Sequence, residues 1–128
     1  MTKHRVIVAD DIDVVRESLR LALERGGYDV VEAADGEQAL AALRERGAAA
    51  IVADLWMPRM DGIALLKAVR REAPSVKVIA ISGGGPGMSL EVAASLAQAW
   101  GAEATLYKPF ENATLVARLD ALLEPAAA

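Results

Sequence analysis

Short apolar runs recur along this chain at intervals long enough to hold a helix between each pair, and two of the runs end in aspartate. Val6-Ile7-Val8-Ala9 ends in Asp10-Asp11, and Ala50-Ile51-Val52-Ala53 ends in Asp54. A short run with no polar alternation is a strand covered on both faces. Such strands belong to parallel sheets, whose crossover connections are helices. The pattern predicts strands over Arg5–Ala9, Asp29–Ala33, Ala50–Ala53, Val76–Ser82 and Ala104–Tyr107. Apolar residues at helical spacing predict helices over Asp13–Arg25, from an Asp35 cap to Arg46, then Gly62–Glu72, Ser89–Trp100 and Asn112–Leu123. Five strands alternating with five helices make an α/β fold, a doubly wound parallel sheet in a three-layer sandwich. Ligands bind such folds beyond the carboxyl ends of the strands.

The length of 128 residues allows one domain, read as 1–124, with 125–128 a tail or the start of a linker. No apolar stretch approaches the ~18 residues that span a bilayer, and the amino terminus lacks the features of a signal peptide. The absence of cysteine excludes disulfides and thiolate metal sites, which suits a cytoplasmic protein. A net charge of -4 argues against direct nucleic-acid binding, which needs clustered Lys and Arg.

Asp10, Asp11, Asp54 and Lys108 each fall at the carboxyl end of a predicted strand. Taken singly, each has an ordinary explanation: acids start helices, aspartate is common in loops, and Lys-Pro is a turn. Their conjunction at one sheet edge is different. Three bare carboxylates there repel one another, and Mg2+ or Mn2+, which take oxygen ligands, resolve that repulsion. A carboxylate can then act as a nucleophile toward phosphorus, with Lys108 as a second positive charge. Ser82 ends the fourth strand, placed to donate to a phosphoryl oxygen, and Gly83 after it leaves room for the group to enter.

These residues resemble the receiver domain of bacterial two-component response regulators, over essentially the whole chain. The resemblance implies a flavodoxin-like sandwich with strand order 2-1-3-4-5. Asp54 is similar to the family's phospho-accepting aspartate. Asp10-Asp11 resemble its acidic pair, with Asp11 a direct metal ligand and Asp10 acting through water. The backbone carbonyl of Trp56 falls where the family supplies a further metal ligand. Met57-Pro58 and Met60-Asp61-Gly62 match the turn that follows. Ser82 stands at the conserved hydroxyl position, and Lys108-Pro109 at the lysine with its cis peptide bond. The function this implies is phosphoryl transfer from a sensor histidine kinase or phosphotransfer protein to Asp54. That transfer switches protein–protein contacts on the face of the fourth helix, fifth strand and fifth helix. The partners implied are the phosphodonor, a downstream target or output domain, and a second copy of the chain in a phosphorylation-dependent homodimer. In such a dimer Arg118 and Asp120 could pair. The protein is then a signalling module, not an enzyme, although it catalyses its own phosphorylation and dephosphorylation.

The chain departs from the family pattern at three places. The switch aromatic usually lies three residues before the lysine, where this chain has Thr105; Tyr107, on the same face by strand alternation, is a candidate substitute and otherwise packs against the last helix. The Gly83–Gly87 loop is longer and richer in glycine than usual and is expected to be mobile. Trp56 places a large indole near the pocket, where it could shield an acyl phosphate from water. Rival readings are weaker. A dehalogenase-type phosphatase needs an acid at position 56, and an FMN carrier needs a phosphate cradle after the first strand, where Asp10-Asp11 would repel it. The alternative that remains is a receiver-like scaffold that binds partners without a phosphorylation switch.

Overall fold

The computed structural model describes residues 4–83 and 89–123. Ten elements alternate as expected: β1 (Arg5–Ala9), α1 (Asp13–Arg25), β2 (Asp29–Ala33), α2 (Gly36–Arg46), β3 (Ala50–Asp54), α3 (Gly62–Glu72), β4 (Lys77–Ser82), α4 (Leu90–Ala99), β5 (Ala104–Tyr107) and α5 (Asn112–Leu123). The strands form one parallel sheet in the order β2-β1-β3-β4-β5. Every residue of β3 is buried, as its unbroken apolar run requires of a central strand.

Strand alternation splits the interior into two cores. Ile7 and Ala9, Ile51 and Ala53, and Val78 and Ala80 face α2, α3 and α4, where they meet Leu40, Leu65, Leu66, Val69 and Ala97. Val6 and Val8, Ala50 and Val52, Ile79 and Ile81, and Leu106 face α1 and α5, where they meet Leu19, Leu23, Leu115 and Leu119. Three helices begin on side chains that accept from the first turn: Asp35 from the Gln38 N–H (2.8 Å), Asp61 from Ala64 (2.8 Å) and Ser89 from Val92 (3.2 Å). Helix α1 has no such cap, because its N-cap position is Ile12, whose side chain carries no acceptor.

Element boundaries differ from the sequence reading by a residue. β3 runs on to Asp54, which pairs with Ile81 across the ladder. β4 begins at Lys77, because the Val76 N–H is drawn into a turn on the Ala73 carbonyl. α4 begins after Ser89, its cap. Of the glycine-rich loop, residues 84–88 lie outside the described residues, as do 124–128. Asp120 accepts a 2.6 Å hydrogen bond from the buried Tyr28 hydroxyl of its own chain. Burial and that carboxylate together push the Tyr28 phenol up. Among the described residues, no helix is long and apolar enough to cross a membrane.

The amino ends of the strands are held by charge. Arg70 of α3 donates to Glu103 (3.1 Å) and to the Pro74 carbonyl (2.9 Å), and Glu103 accepts from the Val78 N–H at the start of β4. Glu103→Ala leaves that backbone donor without its partner. It is expected to cost about 1–3 kcal/mol in chemical denaturation, measured against the parent.

Candidate functional site

Asp54, the last residue of β3, and Asp10, the first after β1, are carried inward by the strands they terminate; Asp54 is 4% exposed and Asp10 is fully buried. Asp11 is exposed. One carboxylate oxygen from each of the three lies within 4.8 Å of the others. Lys108, just past β5, places its Nζ 2.8 Å from Asp54 Oδ2 and 3.9 Å from Asp10 Oδ2. The four residues expected to converge therefore do converge, at the carboxyl edge of the sheet.

Each buried carboxylate has one oxygen satisfied by backbone. Asp54 Oδ1 accepts from the Trp56 N–H and Asp10 Oδ1 from the Ile12 N–H, both at 2.9 Å. Among the described residues, Asp10 Oδ2 is buried with no hydrogen-bond partner, and so is the hydroxyl of Ser82, itself fully buried at the end of β4. Burial pushes the Asp10 carboxyl above its ordinary value, and the Asp54 charge adds to it, against the pull of the Ile12 N–H and of Lys108. Burial pulls Lys108 down, but the hydrogen bond and charge of Asp54, with the charge of Asp10, outweigh it and leave the ammonium raised. The site thus gathers more negative charge than one lysine offsets, and an all-oxygen donor set with an unpartnered buried oxygen fits a hard divalent cation.

Two glycines shape the loop after Asp54. A Cβ on Gly62 would lie 2.5 Å from the Asp54 carbonyl oxygen and 2.7 Å from Leu55 Cα, so α3 can start against β3 only without one. A Cβ on Gly36 would run into the Met60 carbonyl, to which the Gly36 N–H donates at 3.0 Å. This contact ties α2 to the loop carrying Trp56. Nothing in the sequence reading marked Gly36; its only local sign was its place just after the Asp35 cap. A Cβ on Gly83 would sit 3.1 Å from Lys108 Cδ, so this glycine clears the lysine stem. The Lys108–Pro109 bond is cis.

The candidate switch residues lie apart from the pocket. Thr105 is half-buried and Tyr107 is 48% exposed; both line a groove between α4 and β5 with Ala94 and Gln98. Tyr107 faces the α4 side rather than the last helix, because Leu106 takes the inward position toward α5. The Trp56 indole lines a groove between α3 and α4 with Leu55, Ile63, Lys67 and Leu96, a groove in which Asp54 has no part.

Three acids, a hydroxyl and a lysine thus end the strands at one edge of a parallel sheet. The family model of the response regulator receiver domain matches residues 6–120, and the chain belongs to that family. It is 37% identical over 118 residues to the transcriptional regulatory protein CseB of Streptomyces avermitilis, covering 92% of this chain and 48% of that protein. It is also 37% identical over 119 residues to the response regulator MprA of a Mycobacterium species, covering 93% of this chain and 50% of that protein. The chain spans about half the length of these curated relatives. Among solved structures, it superposes on the chemotaxis protein CheY4 of Vibrio cholerae with a TM-score of 0.84 at 31% identity, covering 95% of this chain and 100% of that one. The receiver domain of NtrX from Brucella abortus gives 0.85 at 30% identity, covering 94% and 99%.

A carboxyl raised by burial destabilises the fold when ionised. Its contribution is most favourable below the unfolded value near 4 and is lost as pH rises through the folded value. In chelator at pH 7, Asp10→Asn is therefore expected to raise the Tm above that of the parent. The gain should shrink as pH falls through the folded value and vanish only well below the unfolded value near 4, where both states of the parent are protonated. Thermal melts of the two proteins across pH check it; a lower Tm for the variant at pH 7 would mean that pairing with Lys108 outweighs burial.

Proposed function

We propose that this chain is a phospho-accepting receiver, in which Asp54 takes a phosphoryl group from the phosphohistidine of a sensor histidine kinase or phosphotransfer protein. Mg2+ or Mn2+ would be held by Asp10, Asp11, Asp54 and the backbone carbonyl of Trp56. The observation that carries this reading is the Asp54 carboxylate itself: nearly buried, backed by the Lys108 ammonium at 2.8 Å, and within 4.8 Å of two further carboxylates. A lone structural aspartate has no need of such neighbours. When bound, the cation offsets charge on the transferring oxygens and lets an anionic donor approach.

The chain's own residues do the rest. An Asp54 oxygen forms the bond to phosphorus as the phosphorus–nitrogen bond of the donor breaks, its electron pair leaving with the imidazole. Esterification removes the charge that Lys108 paired with, and the ammonium then meets a phosphoryl oxygen instead. The Ser82 hydroxyl, buried without a partner, gains an acceptor. Both contacts favour one of two packings, which is a population shift. Water attacking the same phosphorus returns Asp54 to its resting form, so the site also serves its own dephosphorylation.

The output surface is the face of α4, β5 and α5. Of the large apolar side chains exposed among the described residues, Leu90 and Val92 lie on α4, Trp100 caps its end and Tyr107 lies on β5. Such a patch takes a protein partner: a target, an output domain of a longer regulator, or a second copy of this chain in a phosphorylation-dependent homodimer. Its place of action is the cytoplasm, where phosphohistidine donors present their phosphoryl groups.

Intact mass after incubation with Mg2+ and a small phosphodonor is expected to show one added phosphoryl group, absent in Asp54→Asn and absent without the cation. No phosphoryl on the parent would favour a scaffold that binds partners without a switch. Phosphorylation of both proteins would move the acceptor to another residue.

A further inference from the structure

Arg16, on the first turns of α1, is only 14% exposed at its side chain although both of its charged partners are more open to water, at 86% for Asp13 and 34% for Glu32. Its guanidinium is spread over three acceptors on three segments. Nε donates to Glu32 Oε1 on β2 (3.0 Å), one terminal nitrogen donates to Asp13 Oδ1 (2.7 Å), and the other donates to the backbone carbonyl of Asp10 (2.8 Å). Glu32 is held in turn by the Arg20 Nε at 2.9 Å, so the arm that fixes Arg16 to β2 is itself braced.

The bond to the Asp10 carbonyl is the informative one. That carbonyl belongs to the peptide plane joining Asp10 to Asp11, and a peptide plane is rigid. Holding its oxygen sets the plane from which both acids project. Asp10 is independently fixed, by burial and by the Ile12 N–H. Asp11 is exposed, and among the described residues its carboxylate takes part in no hydrogen bond or ion pair with another side chain. The plane held by Arg16 is therefore the main restraint on where the Asp11 carboxylate can reach. Ion pairs to partly exposed acids contribute little to stability, so the two with Asp13 and Glu32 are a weak reason to bury an arginine here.

We infer that Arg16 is a positioning residue for cation binding: through the Asp10 carbonyl it orients the Asp11 carboxylate toward Asp10 and Asp54. The inference rests on the reading of the acidic cluster as a divalent-cation site. It has a sign that electrostatics alone does not share. A guanidinium near the pocket repels a divalent cation, so deleting its charge should by Coulomb's law tighten binding. Deleting a residue that orients a ligand should weaken it, by about tenfold as for outer partners of metal ligands elsewhere.

The test is a Mg2+ titration by calorimetry of the parent, Arg16→Met and Arg16→Lys, with no phosphodonor present. Lysine keeps the charge but lacks the planar fork that spans three acceptors. Positioning predicts that the Kd rises about tenfold in both variants, while their melting temperatures in chelator stay within a few degrees of the parent. An unchanged or lower Kd in Arg16→Met, with Mg2+ binding intact in the parent, overturns the inference and leaves the proposed function standing. Weakening in methionine with full recovery in lysine also overturns it, because charge alone would then suffice. Failure of the parent to bind Mg2+ overturns the proposed function and this inference with it.

Discussion

Asp10 and Asp54 are two like charges held inside the protein, and most of the molecule bears on the cost of keeping them there. They are reached by β1 and β3, strands with no polar side chain among their buried positions except Asp54 itself. The rigidity of two fully paired neighbouring strands stops the acids from swinging out to water. Lys108 comes from the far side of the sheet to meet them, and the backbone of Ile12 and Trp56 turns inward to donate to them. Gly36 and Gly62 are glycines because the loop after Asp54 must fold back on its own strand and on α2. The pocket is the reason for these choices, and the apolar sheet is the frame stiff enough to enforce them.

The sheet separates two kinds of work along its length. At the amino ends of the strands, Arg5 pairs with Asp29, Arg70 with Glu103, and Tyr28 with Asp120, each satisfying its partner within the chain. At the carboxyl ends three carboxylates, those of Asp10, Asp11 and Asp54, face the single ammonium of Lys108. The ion pairs at the amino ends are balanced one to one, while the cluster at the carboxyl edge carries an excess of negative charge. The direction of a parallel sheet, with all carboxyl ends at one edge, makes this division possible.

The architecture was legible because each strand is an apolar run and each helix has a stripe and an end signal. Boundaries shifted only where pairing or a turn decided them, as at Asp54 and Val76. Asp10, Asp11, Asp54, Ser82 and Lys108 were legible for the same reason: each follows directly on an apolar run whose direction is known. Arg16 and Gly36 were not, because their importance lies in contacts with Glu32 and Met60 that no local pattern announces. Asp120 read as a free surface charge, since nothing near it in the chain reveals that Tyr28 lies beside it. Alternation placed Tyr107 on the face shared with Thr105, but it could not say that this face opens to solvent beside α4.

The place of Ser82 in the sheet has one more consequence. Its side chain is fully buried at the end of β4, a strand paired with β3 on one side and β5 on the other. A displacement of that strand end would therefore be shared by the strand that carries Asp54 and the strand that carries Tyr107. The inner pocket and the exposed groove beside α4 stand one strand apart on either side of the same residue.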